Sequence, residues 1–329
     1  MKILIVNNTV IPITLYGGTE RVIWGLGKEL VNLGHEVTYL VKKGSSSDFA
    51  KVIYIDENKD IIEQIPDDIH IVHFNFTPDN INNFTKPYLI TVHGNTNNTS
   101  PFDLNTVFVS GNHAGRYGSN SFVHNGLDWD EYAKPDFSQA RKYFHFLGNA
   151  AWRVKNVKGA IQTIKNTKSE QLKVLGGVRF NIKMGLRFTF SPRIQFYGMV
   201  GGAEKDRLLN GSKGLVFPVR WHEPFGLAII ESLYFGCPVF GTPYGALPEI
   251  VKPEFGYCSN RSEELSNAIE NWATYNRKSC HEYALAEFNS KKMALSYLER
   301  YERVLANETL NSAAPRLKAV QTEKFLDWE

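Results

Sequence analysis

The sequence predicts two doubly wound α/β domains in succession, on three observations. The chain has 329 residues, more than one small domain holds and suited to two. Short apolar runs alternate with helix-length stretches from end to end. That alternation then restarts after a polar segment near the middle.

KILIV at 2–6 reads as a buried strand, and residues 19–33 as a helix ending near Gly34. Further strands are expected at 36–41, 69–74, 87–93 and 106–110. Their apolar character is continuous rather than alternating, which marks strands covered on both faces and hence a parallel sheet. Intervening helical stretches make βαβ units. Residues 122–144 are polar, contain Gly126 and Pro135, and read as a connection. After it come KYFHFLG, a helix from Val157, LKVLGG, IQFYG, a helix near 203–210, KGLVFP, CPVFGT and closing helices. An amphipathic helix from Ser290 contains KKMALSYLERYERVL. The expected domains are 1–137 and 138–329, with residues from about 310 packing back on the first. Two such domains are expected to face each other across a cleft. Ligands of open α/β sheets bind beyond the carboxyl ends of strands, so function belongs in the loops there.

Composition narrows the classes. Apolar residues make up 43% of the chain, enough for two cores. A formal charge of +3 lacks the basic excess of a nucleic-acid binder. Cys237, Cys258 and Cys280 show no CxxC spacing, which argues against a disulfide framework and a structural zinc. The first apolar stretch is short for a signal peptide and no run approaches a membrane span. A cytoplasmic protein is expected.

The densest chemistry lies in WHEPFGLAIIESLYFGCPVFGTPYGALPEIV, residues 221–251. Pro224 suits a first helical position, and Gly226 lets a ligand approach the first turn. Free N–H groups and the positive dipole end there favour an anionic or hydroxyl-rich ligand. Glu223 and Glu231 are eight residues apart, roughly 12 Å along a helix. Paired carboxylates that flank one glycosidic bond in a retaining hydrolase stand only about 5–5.5 Å apart. The two acids therefore suit opposite ends of an elongated ligand. A second constellation, Arg153-Val154-Lys155-Asn156-Val157-Lys158-Gly159, supplies cations for a phosphate. Tyr16-Gly17-Gly18-Thr19-Glu20-Arg21 follows the first strand, and its glycines open backbone N–H groups to a ligand. It is not a dinucleotide fingerprint. His93 ends the strand PYLITVH, beside Gly94.

These residues resemble the retaining glycosyltransferases of family 4, which have the GT-B fold of two Rossmann-like domains. The resemblance rests on Glu223-Pro224-Phe225-Gly226-Leu227, then Glu231, then Gly245-Ala246-Leu247-Pro248-Glu249. It extends to R-x4-KG at Arg153 and Lys158, to the GGTER loop, to TVHG, and to Val123-His124-Asn125-Gly126-Leu127-Asp128. It implies transfer of a sugar from a nucleoside-diphosphate donor to an acceptor hydroxyl, in a setting such as surface glycan assembly. By the same resemblance Glu223 contacts the donor sugar, Glu231 the ribose, and Phe225, Gly226 and Leu227 touch the sugar through backbone. Arg153 and Lys158 would face the diphosphate and His93 the donor sugar. Gly17 and Gly18 would lie against the diphosphate, and Val200 would cup the base. Trp152 replaces the family's glycine before the Arg, so Lys155 is a further candidate for the phosphate role.

No metal or other cofactor is expected, and Asp128-Trp129-Asp130 is discounted as a metal motif because it falls in the connection. The expected partners are a UDP- or GDP-sugar and a sugar, lipid-linked or other hydroxyl acceptor, with peripheral membrane contact compatible and nucleic acid excluded. Two alternatives stand beside transfer: a nucleotide-sugar epimerase or hydrolase, and a non-catalytic nucleotide-sugar-binding partner.

Overall fold

The structure is a computed structural model that describes residues 1–13, 17–181 and 187–329. Packing divides the chain into two compact units. One comprises Met1–Asp128 and Phe288–Gln321, the other Trp129–Glu287 and Thr322–Glu329.

In the first unit, strands β1 (Lys2–Val6), β2 (Glu36–Val41), β3 (Lys51–Tyr54), β4 (Ile71–Phe74), β5 (Tyr88–Val92) and β6 (Thr106–Phe108) form a six-stranded sheet in the order β3-β2-β1-β4-β5-β6. The pairings are parallel throughout. Apolar side chains of β1, β2 and β4 are buried with Ile65, Ile69 and Ile81 in one core. Helix α1 (Gly18–Asn32) follows β1 and lies close enough that a Cβ at Gly27 would meet Tyr39. The short helix α2 (Gly111–Arg116) is capped by Ser110, whose hydroxyl accepts from His113 N.

The second unit repeats the plan. β7 (Tyr143–Leu147), β8 (Leu172–Leu175), β11 (Ile194–Phe196), β12 (Ser212–Phe217), β13 (Val239–Gly241) and β14 (Gly256–Cys258) form a sheet in the order β11-β8-β7-β12-β13-β14. A separate two-stranded ribbon, β9 (Phe180–Asn181) with β10 (Arg187–Phe188), stands between β8 and β11 in the chain. Helices α3 (Val157–Asn166), α4 (Gly202–Asn210), α5 (Leu227–Tyr234), α6 (Leu247–Ile250), α7 (Ser262–Glu270) and α8 (Arg277–Glu287) cover it. Counted without the ribbon, both sheets have the order 3-2-1-4-5-6 of the dinucleotide-binding fold. The order reverses between β1 and β4 in one unit and between β7 and β12 in the other, and loops following those strands are where a ligand is expected.

Helix α9 (Ser290–Leu305) returns to the first unit. Leu127 bridges Asn289, and a Cβ at Gly126 would lie 2.1 Å from the Asn289 carbonyl oxygen, so only glycine fits that crossing. Tyr301 and Thr91 hydroxyls each lie 2.8 Å from one ring nitrogen of buried His73, and Tyr297 reaches Thr91 at 3.0 Å. This network pins α9 to β4 and β5. The tail divides differently from the expectation. Residues 310–321 pack with the first unit, Leu317 entering a cluster with Phe108 and Tyr117, but Thr322–Glu329 pack on the second. The division at Asp128/Trp129 falls within the segment 122–144, ahead of the expected boundary at 137.

Candidate functional site

At the switch point of the second sheet, the loop after β7 brings Lys155 and the loop after β12 brings Glu223. Lys155 Nζ donates to Glu223 Oε2 at 2.6 Å, and Trp221 Nε1 donates to the same oxygen at 2.8 Å. Glu223 is 6% exposed and Lys155 is likewise buried. The Lys155 ammonium also sits 5.2 Å from the Phe217 ring and 5.0 Å from Trp221. A buried carboxylate is stable only with a partner of this kind. The lysine reaches it because Asn156 adopts a left-handed conformation with φ 54°, turning the chain into α3, while its side chain accepts from Gly159 N at 3.0 Å.

Backbone on the other side of Glu223 is fixed by glycines. Gly226, with φ 95°, forms the N-cap of α5, which starts at Leu227. Pro224 thus lies before the helix rather than at its first position: a left-handed residue at 226 ends the loop and delays the first helical turn. Gly245 has φ 65°, and a Cβ there would lie 2.2 Å from Glu223 N. Ala246 N donates to Glu223 O at 2.9 Å. The Gly245–Glu249 loop is therefore a backbone clamp on Glu223.

Glu231 stands one helical face further on, 4% exposed in α5. Lys205 Nζ on α4 pairs with its Oε1, and Tyr132 Oη donates to the same oxygen at 2.8 Å. His145 on β7 holds α5 in register, its ring nitrogens 2.6 Å from Ser212 Oγ and 2.8 Å from Ser232 Oγ. Burial pushes the His145 pKa down to about 3, leaving a neutral ring. Each acid of the pair thus has its own cation.

Three more loops meet by backbone alone. Gly176 N donates to Gly198 O at 2.6 Å, Gly198 N to Gly177 O at 3.0 Å, and Ala150 N to Gly176 O at 2.8 Å. The loops after β7, β8 and β11 are laced together, with Val200 buried just beyond. Phe225 and Leu227 flank Gly226, Phe225 being buried.

Arg153 and Lys158 are exposed. The Arg153 guanidinium lies 4.8 Å from the Phe325 ring, and Arg220 lies 5.3 Å from the same ring while donating to Leu326 O at 2.6 Å. The pair that the geometry joins to Glu223 is Lys155 with Trp221.

In the first unit, Gly17 is buried as the N-cap of α1 and Gly18 is its first residue; Arg21 Nε donates to Gly17 O at 3.3 Å. Tyr16 lies outside the described residues. His93 Nε2 lies 2.9 Å from Asn75 Oδ1, joining the loops after β5 and β4. Burial lowers its pKa to about 4, so it is neutral near pH 7. Asp128 pairs with Lys28 Nζ.

Lys205, Tyr132, Trp221 and Asn75 escaped the sequence reading. A signal existed for Lys205: it shares the helical face of Leu208 and Leu209, all three buried. A lysine on an apolar stripe implies a buried acid opposite.

Residues 128–286 match the family model of the glycosyl transferases group 1. Solved structures with the same fold include AviGT4, a glycosyltransferase involved in avilamycin A biosynthesis, at 20% identity and a TM-score of 0.74, covering 94% of this chain and 99% of that one. Sucrose-phosphate synthase from Thermosynechococcus elongatus is 17% identical with a TM-score of 0.70, covering 93% and 100%. HepE of Anabaena, in complex with UDP-glucose, is 15% identical with a TM-score of 0.63, covering 92% and 99%. Comparison with curated proteins gives no significant match. At these identities the structural likeness establishes the fold, which is GT-B. The family match over residues 128–286 and that fold together support a glycosyltransferase.

Proposed function

We propose that the chain is a retaining glycosyltransferase of the family 4 type, which moves a sugar from a nucleoside diphosphate to an acceptor hydroxyl without a metal. The observation that carries this reading is the buried Glu223, oriented by Lys155 and Trp221 beside the left-handed turn at Gly226. Phe225, Gly226 and Leu227 N–H groups and Glu223 orient the hexose, and Glu231 takes the ribose. Arg153 and Lys158, exposed and cationic, neutralise the diphosphate as it leaves. His93, held neutral by burial, serves the donor sugar. A UDP-sugar is the first donor to try, since HepE is complexed with UDP-glucose.

The bond from the anomeric carbon to the diphosphate oxygen breaks, its electron pair leaving with the phosphate. The acceptor oxygen bonds to the same face of the oxocarbenium-like centre, and its proton passes to the departing phosphate oxygen. Product NMR tests this: the donor's anomeric configuration is retained, with activity undiminished by EDTA. An inverted anomer overturns the mechanism. Sugar release or isomerisation without any acceptor moves the assignment to a hydrolase or epimerase. A cytoplasmic role in glycan assembly completes the proposal.

A further inference from the structure

Thr322–Glu329 belongs to the second unit and is anchored there residue by residue. Leu326 N donates to Arg220 O at 2.9 Å, and Arg220 Nε donates back to Leu326 O at 2.6 Å. Tyr244 Oη donates to Asp327 O at 2.9 Å, and Ser262 N donates to Glu329 O at 2.7 Å. Trp328 packs on the core of the unit, so near α3 that a Cβ at Gly159 would lie 2.9 Å from its ring. Arg220, Tyr244, Ser262 and Gly159 stand on the segments that follow β12, β13, β14 and β7. The octapeptide therefore laces together segments at the strand ends where open α/β sheets bind ligands.

Such anchoring fixes Phe325. The Arg153 guanidinium lies 4.8 Å from the centre of its half-buried ring, and the Arg220 guanidinium 5.3 Å from it. Arg220 N also donates to Val154 O at 2.7 Å, which ties the loop of one arginine to the loop of the other. A cation held by a ring face spends none of its N–H groups, so Arg153 keeps its whole donor fork for a ligand. An exposed arginine otherwise loses rotamer freedom when it binds, and the ring takes that loss in advance. Neither arginine forms an ion pair among the described residues. Two cations gathered at one ring repel each other, and an anion relieves that repulsion. We infer that Phe325 is a positioning residue for the diphosphate, an inference that rests on the reading of Arg153 as a diphosphate cation. Thr322–Glu329 is the strap that brings the ring to Arg153, and the ring holds the guanidinium where the leaving phosphate meets it.

Titration calorimetry of the full chain tests this. UDP, GDP and ADP identify the diphosphate that wild type binds, and the matching monophosphate is the reference. Phe325→Leu keeps apolar bulk and loses the ring face, whereas Phe325→Tyr keeps both. Phe325→Leu should raise the Kd of the diphosphate roughly threefold to tenfold, and that of the monophosphate less. Phe325→Tyr should bind like wild type. With Arg153→Ala already in place, Phe325→Leu should add nothing further. Unchanged diphosphate binding by Phe325→Leu overturns the inference and leaves the donor site standing. So does a loss shared equally by the monophosphate, or one that persists in the Arg153→Ala background. If wild type binds none of the three diphosphates, the donor reading falls and the inference with it.

Discussion

Lys155 Nζ and Trp221 Nε1 converge on one oxygen of Glu223, at 2.6 and 2.8 Å, tying the loop after β7 to the loop after β12. Removing one member of a buried ion pair leaves an uncompensated charge, at a cost of about 3–5 kcal/mol. Lys155→Met is therefore expected to lose about that much stability in a denaturant melt. Lys155→Met/Glu223→Gln should recover part of it while remaining inactive in transfer. Full stability of the single variant would show that the pair is not formed.

Gly245→Ala is expected to be severely destabilising for its conservative appearance. Its φ of 65° is strained for alanine, and the new Cβ would meet Glu223 backbone at 2.2–2.3 Å. A drop of several degrees in melting temperature with loss of transfer is expected. Gly94→Ala, where a Cβ meets nothing within 4 Å, is the control and should melt like wild type.

Tyr132→Phe removes one hydrogen bond to Glu231 Oε1, worth about 1–2 kcal/mol. If Glu231 grips the ribose equally in ground and transition states, donor KM rises with kcat nearly unchanged. A fall in kcat alone would contradict the ribose assignment.

Acid should destabilise the chain through buried histidines. Burial lowers the pKa of His73, His113 and His145 to about 3 each, below the ordinary 6.5. Between those values the unfolded chain binds the protons and the folded chain does not, so stability rises with pH. The full stability is present above about pH 6.5 and falls by about 1.4 kcal/mol per pH unit for each histidine as pH drops towards 3. Urea melts at pH 7, 6 and 5 check this; a flat profile contradicts it.

Both sheets were legible because their central strands are covered on two faces and read as continuous apolar runs. β3 and β14 were not. Each is an edge strand paired on one side only, and β3 has partly exposed side chains throughout. The two acids of the site announced themselves by spacing within one segment, as did the glycines at 226 and 245. Their partners did not, because Lys205 and Tyr132 come from other parts of the chain and an ion pair formed by folding leaves no local pattern. Pro224 was misplaced because a left-handed glycine cap cannot be told from a helical residue by composition.

Ligand-dependent melting tests the central claim, a nucleoside-diphosphate site on the second unit, most directly. UDP, GDP, ADP, CDP and NAD are compared on wild type and on Arg153→Ala/Lys158→Ala, whose exposed side chains can be removed without disturbing the core. A ligand at ~100 times its Kd adds roughly 2.7 kcal/mol, a shift of several degrees. One diphosphate is expected to raise the wild-type melting temperature and leave the double variant unmoved. If no diphosphate shifts the wild type, or only NAD does, the donor site as described is contradicted.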